Sequence, residues 1–372
     1  MTSYLLAGGG TAGHVNPLLA VADRLREREP DATILVLGTA EGLEARLVPE
    51  RGFVLETIPK VPLPRRLNRQ ALQFPARFRR AVTRIRTLVR DRGIDVVIGF
   101  GGYAATPAYV AARKEGVPYV VHEANARPGL ANVWGARRAA AVGTVFADTP
   151  LRGGEVVGMP LRAEISTLDR AGSRAEAAEY FGLDADMPVL LVFGGSTGAR
   201  RINEAFAQAW PEIVAEGWQI LHVTGDANAD DVDASGAEAR VVVPYADRMD
   251  LAYALADLAV CRSGSATVSE LSALGIPAAY VPYAVGNGEQ ALNARGVVQA
   301  GGALLIDDAE FTADAIVERV IPVLRDAEVR ERMGRAAASF GTLDGTEKLL
   351  VLADRARAGA GAAPFGTAGV SP

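Results

Sequence analysis

Three glycine-bearing turns carry the residues most able to do chemistry. Gly8-Gly9-Gly10-Thr11-Ala12-Gly13, with His14 directly after it, fits G-x-G-x-x-G between an apolar run and a helical one. Glycines there let a backbone approach a phosphate held at the positive end of a helix. Gly194-Gly195-Ser196-Thr197-Gly198 repeats the arrangement. In the stretch Arg262 to Glu270, RSGSATVSE, Ser263 and Ser265 are candidate caps for a helix beginning near Ala266. That N-terminus could hold a diphosphate, and Glu270, about one turn in, could accept two hydrogen bonds from a ribose diol. The plainer readings are tight strand–helix turns for the loops and a first-turn acid favoured by the helix dipole for Glu270.

His14 has the right chemistry for a general base, with an ordinary pKa of ~6.5. Its competing role is to bind a diphosphate. Glu123 is the second candidate base. His122 and His222 lie in strand-like runs, where a buried structural role competes with a cleft-lining one. A dinucleotide enzyme would also place an acid at the end of its second strand. Here TILVLG ends in Gly38-Thr39-Ala40 and the first acid is Glu41, which argues against a dehydrogenase. Two D-x-D spellings, Asp184-Ala-Asp186 and Asp231-Val-Asp233, fall in polar turns and read as solvated acids. No metal site and no cofactor is implied.

Residues of this kind need elements to position them. Short Val/Ile/Leu-rich runs at 3–7, 33–37, 95–98, 118–121 and 141–145 alternate with helical stretches such as 17–28. A second series follows at 188–193, 219–223, 240–243, 258–260, 278–281 and 303–306, with 204–215 helical. Runs without polar alternation suit parallel strands covered on both faces. Repeated βα units argue for an α/β fold of two Rossmann-like domains with parallel sheets facing a central cleft. The expected boundaries are 1–160 and 161–341, with a helix at about 342–357 packing back on the first domain. The small-residue tail 358–372 is expected to be disordered.

The chain of 372 residues is 49% hydrophobic and 22% charged with a net charge of -5, so bulk charge points to neither nucleic acid nor an anionic partner. One cysteine, Cys261, excludes an internal disulfide and fits a reducing compartment. No signal peptide is apparent, and no apolar run approaches the ~18 residues that span a bilayer. The local charge is uneven. Residues 60–92 hold Lys60 and ten arginines, among them Arg77, Arg79, Arg80 and Arg84, against Asp91 alone. Phe74, Phe78, Val82 and Ile85 recur at helical spacing, so a basic amphipathic helix could rest on an anionic membrane surface. An ordinary core-packing helix with a solvated basic back is the alternative. The window lacks the stacking aromatics of single-strand nucleic-acid binders.

Taken together, GGGTAGHVNPLLAVA (8–22), IGFGGYAATPAYVAA (98–112), HEANARPGLAN (122–132), GMPLR (158–162), FGGSTGARRIN (193–203), CRSGSATVSE (261–270) and GNGEQALNA (286–294) resemble the MurG family. These are bacterial N-acetylglucosaminyltransferases of GT-B architecture, and the GNGEQ spelling resembles the actinobacterial branch. The resemblance implies transfer of GlcNAc from UDP-GlcNAc to undecaprenyl-diphospho-muramylpentapeptide, with inversion and without metal, by a peripheral enzyme on the cytoplasmic face of the cell membrane. It implies acceptor-side roles for Thr11, Gly13 and His14 and a place near the donor sugar for Asn125. Arg162 and Ser196 would lie by the UDP phosphates, with the helix after Ser263 assisting. Glu270 would bind ribose, and the main chain at Arg248-Met249 would read uracil. Gln290 would contact the GlcNAc hydroxyls, with Glu289 standing where the family has a second glutamine. The rivals are another GT-B glycolipid or natural-product glycosyltransferase, a UDP-GlcNAc 2-epimerase and a noncatalytic sugar-nucleotide-binding subunit.

Overall fold

A computed structural model describes residues 1–61, 69–194, 199–225, 239–283 and 288–362. The chain divides into two units, Met1–Pro160 with Asp344–Pro372, and Leu161–Leu343. The described residues of the first form β1 (Ser3–Ala7), β2 (Thr33–Gly38), β3 (Val54–Thr57), β4 (Val96–Gly99), β5 (Tyr119–Glu123), β6 (Ala141–Thr144) and β7 (Gly154–Val156). They pair in the order β3-β2-β1-β4-β5-β6-β7, every neighbour parallel. The helices between them include α1 (Ala12–Arg28), α2 (Glu44–Glu50), α3 (Arg69–Asp91), α4 (Gly102–Glu115) and α5 (Leu130–Gly135).

The second unit repeats the plan with β8 (Val189–Phe193), β9 (Gln219–Val223), β10 (Arg240–Val243), β11 (Ala256–Cys261), β12 (Ala278–Tyr280) and β13 (Ala303–Leu305). Their order is β10-β9-β8-β11-β12-β13, again parallel throughout. The expected α/β fold with two parallel sheets is what the chain adopts. In each sheet the winding reverses beside the first strand, between β1 and β4 and between β8 and β11. Open α/β sheets bind ligands in the crevice at the carboxyl ends of such strands. The segments after β1, β8 and β11 are the glycine-bearing turns of the sequence.

Burial explains why the strands read as unbroken apolar runs. Along β1, Leu5 and Ala7 enter one core cluster and Tyr4 and Leu6 the other, so both faces are covered. Each buried leucine of this kind contributes on the order of 1.5–3 kcal/mol by leaving water. β3 and β7 have no counterpart among the expected strands. They are the two edges of the first sheet, and Val54 and Val156 are largely exposed, so neither edge needs an apolar run.

The last helix runs Gly345–Ala362 and belongs to the first unit. Leu349, Leu350, Leu352, Ala353 and Ala356 join Tyr4, Leu6, Val96 and Ile98 in one cluster. Arg28 pairs with Asp354 at 3.1 Å and Arg355 with Glu155 at 2.6 Å. The expected disordered tail is corrected at its start: 358–362 continue the helix, in which the alanines at 358, 360 and 362 are the best helix formers. Residues 363–372 lie outside the described set.

Candidate active site

In the first unit, α1 opens directly after the glycine loop, with Thr11 as its N-cap and Gly13 and His14 in its first turn. His14 Nδ1 lies 3.1 Å from the Gly9 carbonyl oxygen and 3.2 Å from Thr11 Oγ1. A carbonyl only accepts, so Nδ1 carries the hydrogen and the neutral ring keeps its lone pair on Nε2. The ring lies against Gly101, the N-cap of α4. A Cβ there would fall 3.0 Å from Nε2, and the φ of +94° independently favours glycine.

Glu123, at the end of β5, is buried, and both its oxygens are engaged. Oε1 accepts from the Asn125 backbone N–H at 2.9 Å and from Asn125 Nδ2 at 3.4 Å. Oε2 accepts from the Gly129 N–H and from Asn132 Nδ2, each at 2.9 Å. Asn132 also donates to the His122 carbonyl at 3.0 Å and accepts from the Tyr109 hydroxyl at 2.9 Å. This network shapes the 124–129 turn that carries Asn125, and it leaves the carboxylate ill placed to take a proton. His122 is wholly buried, with Nε2 3.2 Å from the Gly158 carbonyl, and burial pushes its pKa down to about 4. His222 is likewise buried, with Nε2 3.0 Å from Asn203 Oδ1, and is pushed down to about 3. Both are neutral structural groups.

In the second unit the turn after β11 leads into the helix Ser265–Ala273. The expected serine caps are not formed. Gly264 takes the N-cap in an extended conformation without a side-chain cap, so Ser263 falls one residue outside the helix and Ser265 one inside. Ser263 is fully buried, and its Oγ has no hydrogen-bond partner among the described residues. Glu270 lies in the second turn of the helix, with its side chain only 14% exposed. Its Oε2 accepts from the Tyr253 hydroxyl at 2.7 Å, and Arg162 Nη2 stands 3.8 Å from Oε1. Burial raises the Glu270 pKa, with Arg162 and Tyr253 opposing. Arg162 is the N-cap of the short helix Ala163–Ser166, and its buried Nε also has no partner among the described residues.

Gln290 and Glu289 open the helix Glu289–Gln299. Gln290 Oε1 accepts from the Tyr283 N–H at 2.9 Å. Arg262 steadies the approach to this point: its Nη1 donates to the Val281 carbonyl at 3.0 Å and pairs with Asp308, and its guanidinium lies 5.3 Å from the Tyr283 ring centroid. Arg248 is the N-cap of the helix Met249–Leu255, and its side chain turns to Asp250 at 2.7 Å and Glu176 at 3.5 Å. Arg162 and Glu270 are thus brought together, whereas Arg248 is committed to its own neighbours. Ser196 lies outside the described residues, as do Asp231 and Asp233. Asp184 Oδ1 accepts from the Asp186 N–H at 2.9 Å, closing a local turn.

The sequence reading missed Glu44, Asn132 and Tyr253. Glu44 is almost fully buried; its Oε2 accepts from the Gly10 N–H at 2.8 Å, and its Oε1 accepts from the Thr39 N–H at 2.9 Å and Thr39 Oγ1 at 2.8 Å. The cue was present, since Glu44 lies only three residues beyond Glu41, the first acid after β2. Tyr253 lies 17 residues before Glu270 and carried no local cue.

The amphipathic reading of α3 needs correction. Val82 and Ile85 are buried, and Phe74 and Phe78, stacked at 5.5 Å, pack partly buried against the same core. The apolar stripe is therefore spent on the protein core, not left free for lipid. Arg77 is exposed and donates to the Lys60 carbonyl at 2.9 Å. Arg79, Arg80 and Arg84 are exposed, while Arg86 and Arg90 share Glu115 at 2.5 and 3.7 Å. Among the described residues, no helix is long and apolar enough to cross a membrane.

Comparison with known proteins fixes the class. The glycosyltransferase family 28 N-terminal domain matches residues 4–144 and the family 28 C-terminal domain matches residues 189–349. The chain is 60% identical over 350 residues, 94% of its length and 95% of the relative's, to the UDP-N-acetylglucosamine–N-acetylmuramyl-(pentapeptide) pyrophosphoryl-undecaprenol N-acetylglucosamine transferase of Clavibacter michiganensis subsp. michiganensis. It is similar to the crystal structure of Acinetobacter baumannii MurG, with a TM-score of 0.79 and 27% identity over 95% of this chain and 100% of that one. A UDP-GlcNAc 2-epimerase from Neisseria meningitidis shares the fold alone, with a TM-score of 0.66 and 12% identity over 95% of this chain and 99% of that one. The chain belongs to the MurG family of family 28 glycosyltransferases.

Proposed function

We propose that this chain transfers GlcNAc from UDP-GlcNAc to the 4-hydroxyl of the muramyl sugar in undecaprenyl-diphospho-muramylpentapeptide. The observation that carries the chemistry is the 3.1 Å contact of His14 Nδ1 with the Gly9 carbonyl, which assigns the hydrogen to Nδ1. A muramyl hydroxyl is a poor nucleophile while neutral, and Nε2 offers a lone pair to take its proton as oxygen attacks the anomeric carbon. A single in-line displacement of this kind inverts that carbon and releases UDP. Arg162, the helix N-terminus after Ser263 and Ser196 stabilise the departing diphosphate, each donor contributing about 3–4 kcal/mol. Glu270 holds the ribose through its Oε1 side, the main chain at Arg248-Met249 reads the uracil, and Asn125, Glu289 and Gln290 orient the sugar. Alignment of the two substrates supplies a further ~7–11 kcal/mol. No step in this scheme calls on a metal.

The decisive assay incubates labelled UDP-GlcNAc with the lipid acceptor in the presence of EDTA. The expected product is labelled lipid-linked disaccharide. Free labelled sugar, or UDP release without a disaccharide, would replace this reading with hydrolysis or epimerisation.

The acceptor is a membrane lipid, and the exposed Arg79, Arg80 and Arg84 support peripheral attachment at the cytoplasmic face. Each arginine near an anionic surface contributes on the order of 1 kcal/mol. Sedimentation with anionic liposomes is expected to fall at least tenfold when all three are changed to Glu. Equal binding by the two proteins would remove α3 from the interface.

A further inference from the structure

The first glycine loop already contains an anion, and that anion belongs to the protein. Glu44 is the first residue of α2 and only 1% exposed. Its side chain occupies a chamber made by glycines: a Cβ at Gly9, Gly38 or Gly42 would fall 2.3, 2.5 or 2.0 Å from it. One carboxylate oxygen accepts the Gly10 N–H, and the other accepts both Thr39 donors. Burial alone would raise its pKa; the hydrogen bonds from Gly10 and Thr39 outweigh that and hold it below the ordinary range, so the group is charged at neutral pH. The sequence expectation of a phosphate cradled by this loop is thereby altered at Gly10, whose amide is taken.

What the loop does instead follows from its other contact. The Gly9 carbonyl that receives the His14 Nδ1 hydrogen belongs to the same peptide unit as the Gly10 N–H. A peptide plane is rigid, so a carboxylate gripping the N–H aims the C=O on its opposite side. We infer that Glu44 is a positioning residue for His14: it clamps the Gly9–Gly10 peptide so that the carbonyl sets the histidine's tautomer and ring orientation. The inference rests on the reading of His14 as the base. It also gives a physical reason for three glycines around one acid, since side chains at those positions would evict the carboxylate.

Glu44→Gln separates this role from simple folding. The amide oxygen can still accept from Thr39, whereas its NH2 would face the Gly10 N–H, donor against donor. Expected is a fall in kcat of tenfold or more with KM for UDP-GlcNAc within twofold. Thr39→Val removes one hydrogen bond from the same carboxylate without touching Gly10, and should lower stability while leaving kcat within twofold. A Glu44→Gln enzyme with kcat within twofold of wild type, or one whose kcat matches that of Thr39→Val, overturns the proposal. Histidine 15N NMR of the wild-type protein gives a reading that needs no Glu44 variant, with His14 assigned by its loss in His14→Gln. The expected form carries hydrogen on Nδ1, and an Nε2–H tautomer overturns the proposal. His14→Gln kinetics keep the two ideas apart: kcat within threefold of wild type sinks the base itself, whereas a thousandfold loss beside an unaffected Glu44→Gln sinks Glu44 alone.

Discussion

The two units share a strand order but differ in how far their polar groups are satisfied, with His122 Nδ1 the unpartnered buried side-chain atom among the described residues of the first. In the first, the atoms around His14 satisfy one another: Glu44 holds Gly10 and Thr39, and Glu123 holds Asn125, Gly129 and Asn132. In the second, Ser263 Oγ, Ser269 Oγ and Arg162 Nε are buried without partners among the described residues. A buried polar group left unmatched costs about 1–3 kcal/mol, a cost that a ligand's oxygens can cancel on binding. The contrast suggests a division of labour. On the proposed function, the first unit would spend hydrogen bonds in advance to fix the reacting group, and the second would keep donors in reserve for a diphosphate and ribose.

Three experiments can break or sharpen that contrast. The largest effect is expected from Glu270→Gln. A charge-assisted hydrogen bond is worth ~1.5–3 kcal/mol, so KM for UDP-GlcNAc should rise about tenfold to a hundredfold with a smaller change in kcat. An unchanged KM would remove the second unit's claim to the donor. Next comes Ser263→Ala. If the hydroxyl is held in reserve, deleting it should weaken UDP binding severalfold by calorimetry while the melting temperature of the free protein holds or rises. A clear drop in melting temperature would mean that the hydroxyl is already engaged.

The smallest effect concerns His122, buried and neutral beside the His14 network. Its folded pKa of about 4 lies below the unfolded value of ~6.5. Its stabilising share is therefore complete above pH ~6.5 and drains away as the pH falls toward 4. His122→Asn should flatten that acid-side decline in thermal denaturation, lifting the variant by a few degrees relative to its own deficit at neutral pH. Parallel pH curves for the two proteins would show that His122 is not the group being titrated.

Much of this arrangement was legible in the chain. Both sheets could be read because parallel strands covered on two faces leave unbroken apolar runs. β3 and β7 escaped because an edge strand such as VLET or GEV pairs through its backbone and needs no such run. The amphipathic character of α3 was visible, but a protein core and a bilayer accept the same apolar face, and composition cannot choose between them. Glu270 and Arg162 were readable through family motifs, whereas the Tyr253 hydroxyl reaches Glu270 only through tertiary packing. Glu44 is the instructive miss: its function lies in a chamber of glycines drawn from two loops that meet only after β1 and β2 pair.

The closing helix Gly345–Ala362 has a consequence for biosynthesis. Leu349, Leu350 and Leu352 complete an apolar layer begun by Tyr4 and Leu6, residues made far earlier in synthesis. The second unit is continuous in the chain and can finish as soon as it emerges. The first must wait, with part of its interior open to water, until residues 345–356 have emerged as well. Domain-by-domain completion in chain order is therefore not open to the first unit, and a nascent chain arrested before residue 345 would expose that unfinished surface to chaperones.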